Sequence, residues 1–374
     1  MHNLLKKMAL LIALFAFSGG VFQPVFAFTM VEVREVQGKA KLSQEKLRVA
    51  LEDGKDVSEL IPMMKQVKVL GDNKKIKQAN VLLDQILIKF DQLYQSEYID
   101  STQVFRNPRK VEIIGLKFGA MEPFISRDGK YLFFNSDKDY TPETDKDIYY
   151  AERIDDLTFR FMGEVDGINT HVVDGVPTMD REGNFYYVSV KNYNKRHDFT
   201  TVYRGKFKNG QVTDIKPIPE LSLQIPGWLN MDIEISTDGK TLYSTQTYFG
   251  DGAPPTKSYF FSATFTDDKF IVDNNSHDIF KNINTDDLEY AASISSDGLE
   301  LLFTRGSGFR SSPKFESFRA TRPDINDPFG EPEPIKAITG FAEAPAITDD
   351  GRLVYYHKKN KGRFYIYALE RITE

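Results

Sequence analysis

Five related segments recur along this chain: EPFISRDGKYLFFNS from Glu122, VPTMDREGNFYYVSV from Val176, DIEISTDGKTLYSTQ from Asp232, AASISSDGLELLFTR from Ala291 and APAITDDGRLVYYHK from Ala344. Their shared glycines, Gly129, Gly183, Gly239, Gly298 and Gly351, stand 54, 56, 59 and 53 residues apart. A period this long and regular restricts the chain to a solenoid, a propeller or an array. Within each copy, two alternating apolar runs flank an Asp-Gly step, the pattern of a β-hairpin. In the second copy Glu182 replaces the Asp, and Gly183 still supplies the positive φ that the turn needs. A third, aromatic run follows each hairpin: DIYYAER at Asp147, TTVYRGK at Thr200, SYFFSAT at Ser258, ESFRATR at Glu316 and RFYIYAL at Arg363. A weaker fourth run leads into the next copy. Four antiparallel strands in about 50 residues is the size of one propeller blade.

The two ends indicate how the ring closes. The last copy stops after its third strand, near Leu369, while Lys110 to Gly119, KVEIIGLKFG, is an apolar strand without a hairpin of its own. Pairing that segment with the last blade removes the exposed edges of an open sheet. The expected fold is therefore all-β: a five-bladed β-propeller of four-stranded antiparallel blades over residues 105–374, preceded by a small α-helical hairpin within residues 28–104. Ile61, Met64, Val67 and Leu70 in one helix, and Ala79, Leu82, Leu83, Ile86 and Phe90 in the next, recur at helical spacing. Gly71-Asp72-Asn73 supplies the break between them, and Ser43 to Leu51 suits a shorter helix. A lone hairpin does not bury its own apolar stripe, so it is expected to dock on the propeller or on a partner.

The repeat resembles that of the TolB-like, WD-repeat-like propeller proteins of the bacterial envelope. Pro123, Ser126, Asp128, Gly129, Leu132, Phe134, Asp147, Ile148 and Tyr149 match the family pattern of a Pro, a Ser-Pro-Asp-Gly-type turn, a Leu-x-Phe strand and an Asp-Ile-Tyr strand. Ile168-Asn169-Thr170 looks like the usual lead-in to a repeat. The resemblance covers about 270 of 374 residues and implies a fold and an envelope setting. TolB itself has six blades and a different N-terminal domain, so its partners do not carry over.

Residues 1–27 read as a signal peptide: a basic start, the apolar core ALLIALFAF, and Val25-Phe26-Ala27 as a small-residue cleavage site. No cysteine follows, which removes a lipobox, disulfides and thiolate metal sites together. The expected product is periplasmic or secreted, monomeric, and without an integral membrane segment after cleavage. Loss of Lys6 and Lys7 takes the formal charge from −6 to −8. An acidic chain without a basic block is a poor match for nucleic acid or an anionic membrane surface.

The loops entering each innermost strand of a propeller surround its central channel. Here they carry Glu122; His171 and Asp174; Trp228, Asn230 and Asp232; Asp286, Asp287 and Glu289; and Phe341 and Glu343. The returning strands deliver Asn135, Lys191, Gln246, Arg305, His357 and Lys358 to the same face. The candidate ligand-binding residues are Glu122, Asp174, Trp228, Asp232, Glu289, Arg305, Glu343 and His357, a polar ring of mixed charge. A repeated position equally suits a repeated structural role, above all for Glu122, Asp174 and Glu343. Long connections carry the aromatic side chains Tyr140, Tyr193, Tyr248 and Phe309, suited to an interface.

No catalytic residue is assigned at this level. Gly306 to Gly308 is not a nucleophile elbow, and no phosphate-binding loop or His-Glu-x-x-His motif is present. No cofactor is expected; calcium on Asp137, Asp139, Asp145 and Asp147 is the one candidate, at a spacing that does not match an EF-hand. The expected function is a non-enzymatic binding or scaffold protein that recognises an envelope protein, peptide or glycan at the carboxylate-lined mouth. The alternative is a carbohydrate-active enzyme, since several glycoside hydrolases are five-bladed propellers whose paired acids cleave glycosidic bonds. The strength of the internal repetition, which is of the envelope kind, ranks the scaffold first.

Overall fold

The computed structural model describes residues 30–52, 55, 57–95, 104–137, 146–193, 197–250, 255–308 and 313–372. Residues 1–27, expected to be a signal peptide, and Asp139, Tyr140, Asp145 and Phe309 lie outside the described residues. Two compact units divide the chain, residues 1–101 and 102–374.

The described residues of the first unit form three helices: α1 (Met30–Glu52), α2 (Leu60–Asp72) and α3 (Ile76–Gln95). The sequence reading placed only a short helix over Ser43 to Leu51, whereas α1 runs for 23 residues. Its buried positions Val36, Ala40, Ser43, Leu47 and Ala50 alternate steps of four and three, and the small members carry little hydropathy to betray them. With α1 present, the apolar stripe of the hairpin has a cover: Val36, Leu47, Met64, Leu83, Ile86 and Phe90 share one core. Lys39 of α1 ties to Asp84 of α3 at 2.7 Å. Gly71 is a buried residue of α2, and the left-handed step that turns the chain falls on Lys74 (φ 56°).

The second unit is a five-bladed propeller, as the repeats require. Blade I comprises Ala120–Ile125, Tyr131–Ser136, Ile148–Arg153 and Thr158–Glu164. Blade II comprises Asp174–Met179, Asn184–Ser189, Val202–Lys208 and Gln211–Pro217. Blade III comprises Trp228–Ile235, Thr241–Tyr248, Lys257–Thr266 and Lys269–Val272. Blade IV comprises Leu288–Ile294, Glu300–Ser307, Lys314–Thr321 and Glu333–Pro334. Blade V comprises Ala342–Ile347, Leu353–Asn360 and Arg363–Arg371, and its outer strand is Phe105–Lys110 from the start of the unit.

Closure thus uses a segment earlier than expected. Phe105 pairs with Arg371 and Lys110 with Tyr367, whereas Glu112–Ile114, from the segment expected to close the ring, adds a parallel fifth strand to blade I. Pro108 lies within a register shift of the closing strand, where its missing N–H is tolerated on an outer edge.

The repeated turn has a repeated lock. Ser126 Oγ donates to Asp128 Oδ1 and accepts the N–H of Tyr131, and Asp128 Oδ1 also accepts the N–H of Lys130. Ser236 with Asp238, Ser295 with Asp297 and Thr348 with Asp350 repeat the arrangement. Gly129 sits at φ 72° at the end of the turn, which any Cβ would oppose. Aromatic side chains fill the spaces between blades: Phe133 of blade I meets Phe185 and Phe207 of blade II at 5.2 and 5.0 Å between ring centres. Truncating such a buried ring costs about 3–5 kcal/mol.

Candidate active site

Every innermost hairpin carries a register shift: after Met121, Gly175, Tyr290 and Glu343 at one repeat position, and one residue earlier, after Asn230, in blade III. Four residues at these bulges, Glu122, Val176, Ala291 and Ala344, adopt φ between 50 and 55°. A bulge releases a backbone amide from its own sheet, and here the preceding blade captures it. Val176 N–H donates to Asn135 Oδ1 at 3.0 Å, Ala344 N–H to Thr304 Oγ1 at 2.9 Å, and Glu122 N–H to His357 Nδ1 at 3.0 Å. The Ala291 N–H is held by Asp232. Blade-to-blade clasping is therefore one task of His357 and Asp232.

The same bulges point side chains into the channel. Glu122, Val176, Asp232, Ala291 and Ala344 line a cavity of about 30 Å³, room for a water molecule. Glu122 Oε1 accepts from Lys146 Nζ at 2.6 Å. Its Oε2, like Oδ2 of Asp232, is buried without a hydrogen-bond partner. Burial, then the charge of Glu122, pushes the Asp232 carboxyl up to about 7, against the opposing pull of Lys146. Beside them Glu343 Oε1 accepts from the Tyr290 hydroxyl, and Oε2 faces His357 Nε2 at 3.3 Å. Burial and the Glu343 charge hold the Tyr290 phenol protonated well above its ordinary range.

Four of the eight residues expected from sequence, Glu122, Asp232, Glu343 and His357, thus form one linked cluster. The others do different work. Asp174 accepts from the Thr170 N–H (2.6 Å) and Oγ1 (2.7 Å), and Glu289 from the Thr285 N–H (3.2 Å) and Oγ1 (2.7 Å), so each fastens the loop before its own strand. Arg305 pairs with Glu289 at 2.7 Å and caps the Ile283 carbonyl at 2.8 Å. Trp228 packs on Tyr248 and Tyr259 at 5.1 and 5.7 Å. Asp286 and Asp287 are exposed. Asp137, offered for calcium, caps the amides of Gly119 and Phe364 at 2.7 and 3.1 Å. Among the described residues, no group of three His, Asp or Glu side chains is arranged to hold a metal ion.

Lys146 and Tyr290 join the cluster without a motif in the sequence that marks them. Tyr290 occupies the repeat position of Glu343, directly before the bulge, where the other copies have Met121, Gly175 and Met231. Two polar residues in that column in adjacent blades were the available signal.

At the opposite end, buried groups close the channel. Arg127 reaches from the blade I turn to Glu234 of blade III at 2.9 Å, and Glu234 also accepts from Thr178 Oγ1 of blade II at 2.6 Å.

No protein-family model matches the sequence, and no curated protein matches it. Solved structures do. A protein solved as a glycoside hydrolase is similar at TM-score 0.54 and 12% identity, over 75% of this chain and 95% of that one. A structure described as a complex of BT0996 with RGII is similar at TM-score 0.51 and 12% identity, over 75% and 94%. A protein described as TolB from Agrobacterium tumefaciens reaches TM-score 0.39 at 12% identity, over 72% and 83%, too low to carry an argument. At such identities the likeness establishes the five-bladed propeller fold. It also corrects the expectation of a non-enzymatic scaffold: the ranking rested on repeats of the envelope kind, and the propeller is instead shaped like one solved as a hydrolase. Regular repetition reports the turn and clasp chemistry of the blades and does not distinguish scaffold from enzyme.

Among the described residues, no helix is long and apolar enough to cross a membrane.

Proposed function

We propose that this protein is an exported carbohydrate-active enzyme that cleaves glycosidic bonds at the mouth of its propeller. The observation that carries the reading is the unequal pair Asp232 and Glu122. Asp232 keeps its proton to about pH 7, while Glu122 is ion-paired with Lys146, and both residues line the same water-sized cavity and carry a buried, unpartnered oxygen. A protonated carboxyl group beside a second carboxylate is what acid and base, or acid and nucleophile, need in glycoside cleavage. Asp232 protonates the departing glycosidic oxygen; Glu122 acts on the anomeric carbon directly or through a water. Glu343, with each oxygen facing a donor from Tyr290 or His357, is the fixed charge that helps keep Asp232 protonated. The propeller fold is shared with a protein solved as a glycoside hydrolase, which makes the chemistry compatible with the scaffold.

The reading is tested by incubating the protein with arabino-, xylo-, galacto- and cello-oligosaccharides and measuring new reducing ends by ion-exchange chromatography. Release that disappears in Asp232→Asn supports it. A protein that binds one of these sugars in stoichiometric amount and releases nothing would refute it.

A further inference from the structure

The rim of blade V carries aromatic rings that the carboxylate cluster does not use. Lys359 N–H donates to the Phe341 carbonyl at 2.8 Å, so the ladder through the Glu343–His357 pair continues one step toward the mouth. Residues two apart along a strand point to the same side and stand about 7 Å from each other. Phe341 therefore stands beyond Glu343 by roughly the length of a pyranose ring. It lies parallel to Phe315 of blade IV, with ring centres 4.6 Å apart and planes at 7°, and Phe364 meets it edge-on at 5.4 Å. Phe364 in turn abuts the His357 ring at 5.0 Å. The aromatic set is thus built onto the residue that holds Glu122 and Glu343.

Phe341 nevertheless stays 39% exposed. Beside it opens a cavity of about 610 Å³, whose walls include Phe315, Lys314, Glu316, Thr339 and Gly340. The lining combines the rings of Phe315 and Phe341 with the charged Lys314 and Glu316 and the hydroxyl of Thr339. A wholly apolar ligand would strip water from the Lys314–Glu316 ion pair without replacing it. A small ion would leave the phenyl rings wet. A sugar ring matches both demands, because its C–H face covers an aromatic ring while its hydroxyls point outward to polar groups.

We propose that this rim is the binding site for the next glycosyl unit of an oligosaccharide, with Phe341 as its platform, so that the protein acts on sugar chains. The inference rests on the hydrolase reading for its placement beside the cleaved bond.

The test compares the wild type with Phe341→Ala and Phe341→Tyr, all full-length, on the oligosaccharides above and on the corresponding glycosyl fluorides, whose leaving group occupies no neighbouring site. A roughly tenfold rise in KM for the oligosaccharide in Phe341→Ala is expected, with kcat and glycosyl fluoride turnover retained and Phe341→Tyr close to wild type. Unchanged KM in an active Phe341→Ala enzyme overturns the subsite and leaves the hydrolase reading standing. If the wild type hydrolyses nothing yet binds a hexasaccharide by calorimetry, and Phe341→Ala loses that binding, the subsite survives while the hydrolase reading falls. Absence of both turnover and binding overturns both.

Discussion

The imidazole of His357 ties Glu122 to Glu343: its Nδ1 accepts the Glu122 main-chain N–H at 3.0 Å, and its Nε2 faces a Glu343 oxygen at 3.3 Å. Accepting at Nδ1 places the ring proton on Nε2, where it points at Glu343. One side chain thereby sets the backbone of one acid and the carboxylate of another, across the junction where blade V meets blade I.

His357→Ala should cost about 1–3 kcal/mol, because it leaves the buried Glu122 amide unpaired and takes a partner from Glu343. His357→Asn should recover part of that loss, since Asn135 of blade I makes the same clasp to Val176 of blade II. Urea unfolding of the two variants measures the difference; equal losses would show that the amide bond contributes little.

Asp232 gives the protein a stability that falls with pH. Its folded-state affinity for the proton is raised, to about 7, above the ordinary carboxyl value of 3.8. Between those values the unfolded chain has released the proton and the folded chain retains it, so stability declines as pH rises from about 4 to 7 and then levels. Asp232→Asn should flatten that decline and be the more stable protein above pH 7, by up to about 4 kcal/mol. Thermal midpoints measured across this range test it, and a wild type whose stability rises over the same interval would contradict the assignment.

Glu289 and Arg305 should matter to stability and little to turnover. Glu289 is fully buried and accepts from Thr285 and Arg305, so Glu289→Ala strands the Arg305 cation and frees the loop. Breaking a buried pair from one side costs about 3–5 kcal/mol. Chemical denaturation should show that loss, and activity below the unfolding transition should persist.

The buried pair Arg127–Glu234 should behave likewise at the closed end of the channel. Arg127→Met leaves the Glu234 carboxylate with the Thr178 hydroxyl and the Ile294 amide, and is expected to unfold at distinctly lower urea. A double change, Arg127→Met with Glu234→Gln, should recover part of the loss, which double-mutant analysis reads directly.

The blade count was legible in the sequence because the turn chemistry repeats. Ser126, Asp128 and Gly129 and their counterparts perform the same local hydrogen bonding in four copies, and in the second Asp180 accepts the N–H groups of Glu182 and Asn184 instead, so a recognisable turn survives in every copy. The closing strand was less legible. Phe105–Lys110 contains Pro108, Arg106 and Arg109 and looks unlike a strand until an outer edge excuses it, whereas the more apolar Lys110 to Gly119 attracted the assignment. Helix α1 was read short for the related reason that Ala40, Ser43 and Ala50 pack well while contributing little apolar signal.

Part of the candidate cluster was legible in the same sense. Glu122, Asp232 and Glu343 stand out as acids beside inner strands, but so do Asp174 and Glu289, and only geometry separates those that face the channel from those that fasten loops. Lys146 was invisible as a site residue because it precedes blade I's third strand, and its partner Glu122 lies 24 residues earlier.

The most direct test is the pH dependence of kcat/KM on a saccharide the protein cleaves, measured for the wild type and for Asp232→Asn. Wild-type kcat/KM is expected to fall tenfold per pH unit above about 7, where Asp232 gives up its proton, and Asp232→Asn to lose roughly 10²–10⁴-fold at lower pH. A variant that retains wild-type kcat/KM and the same alkaline limb would show that another group donates the proton.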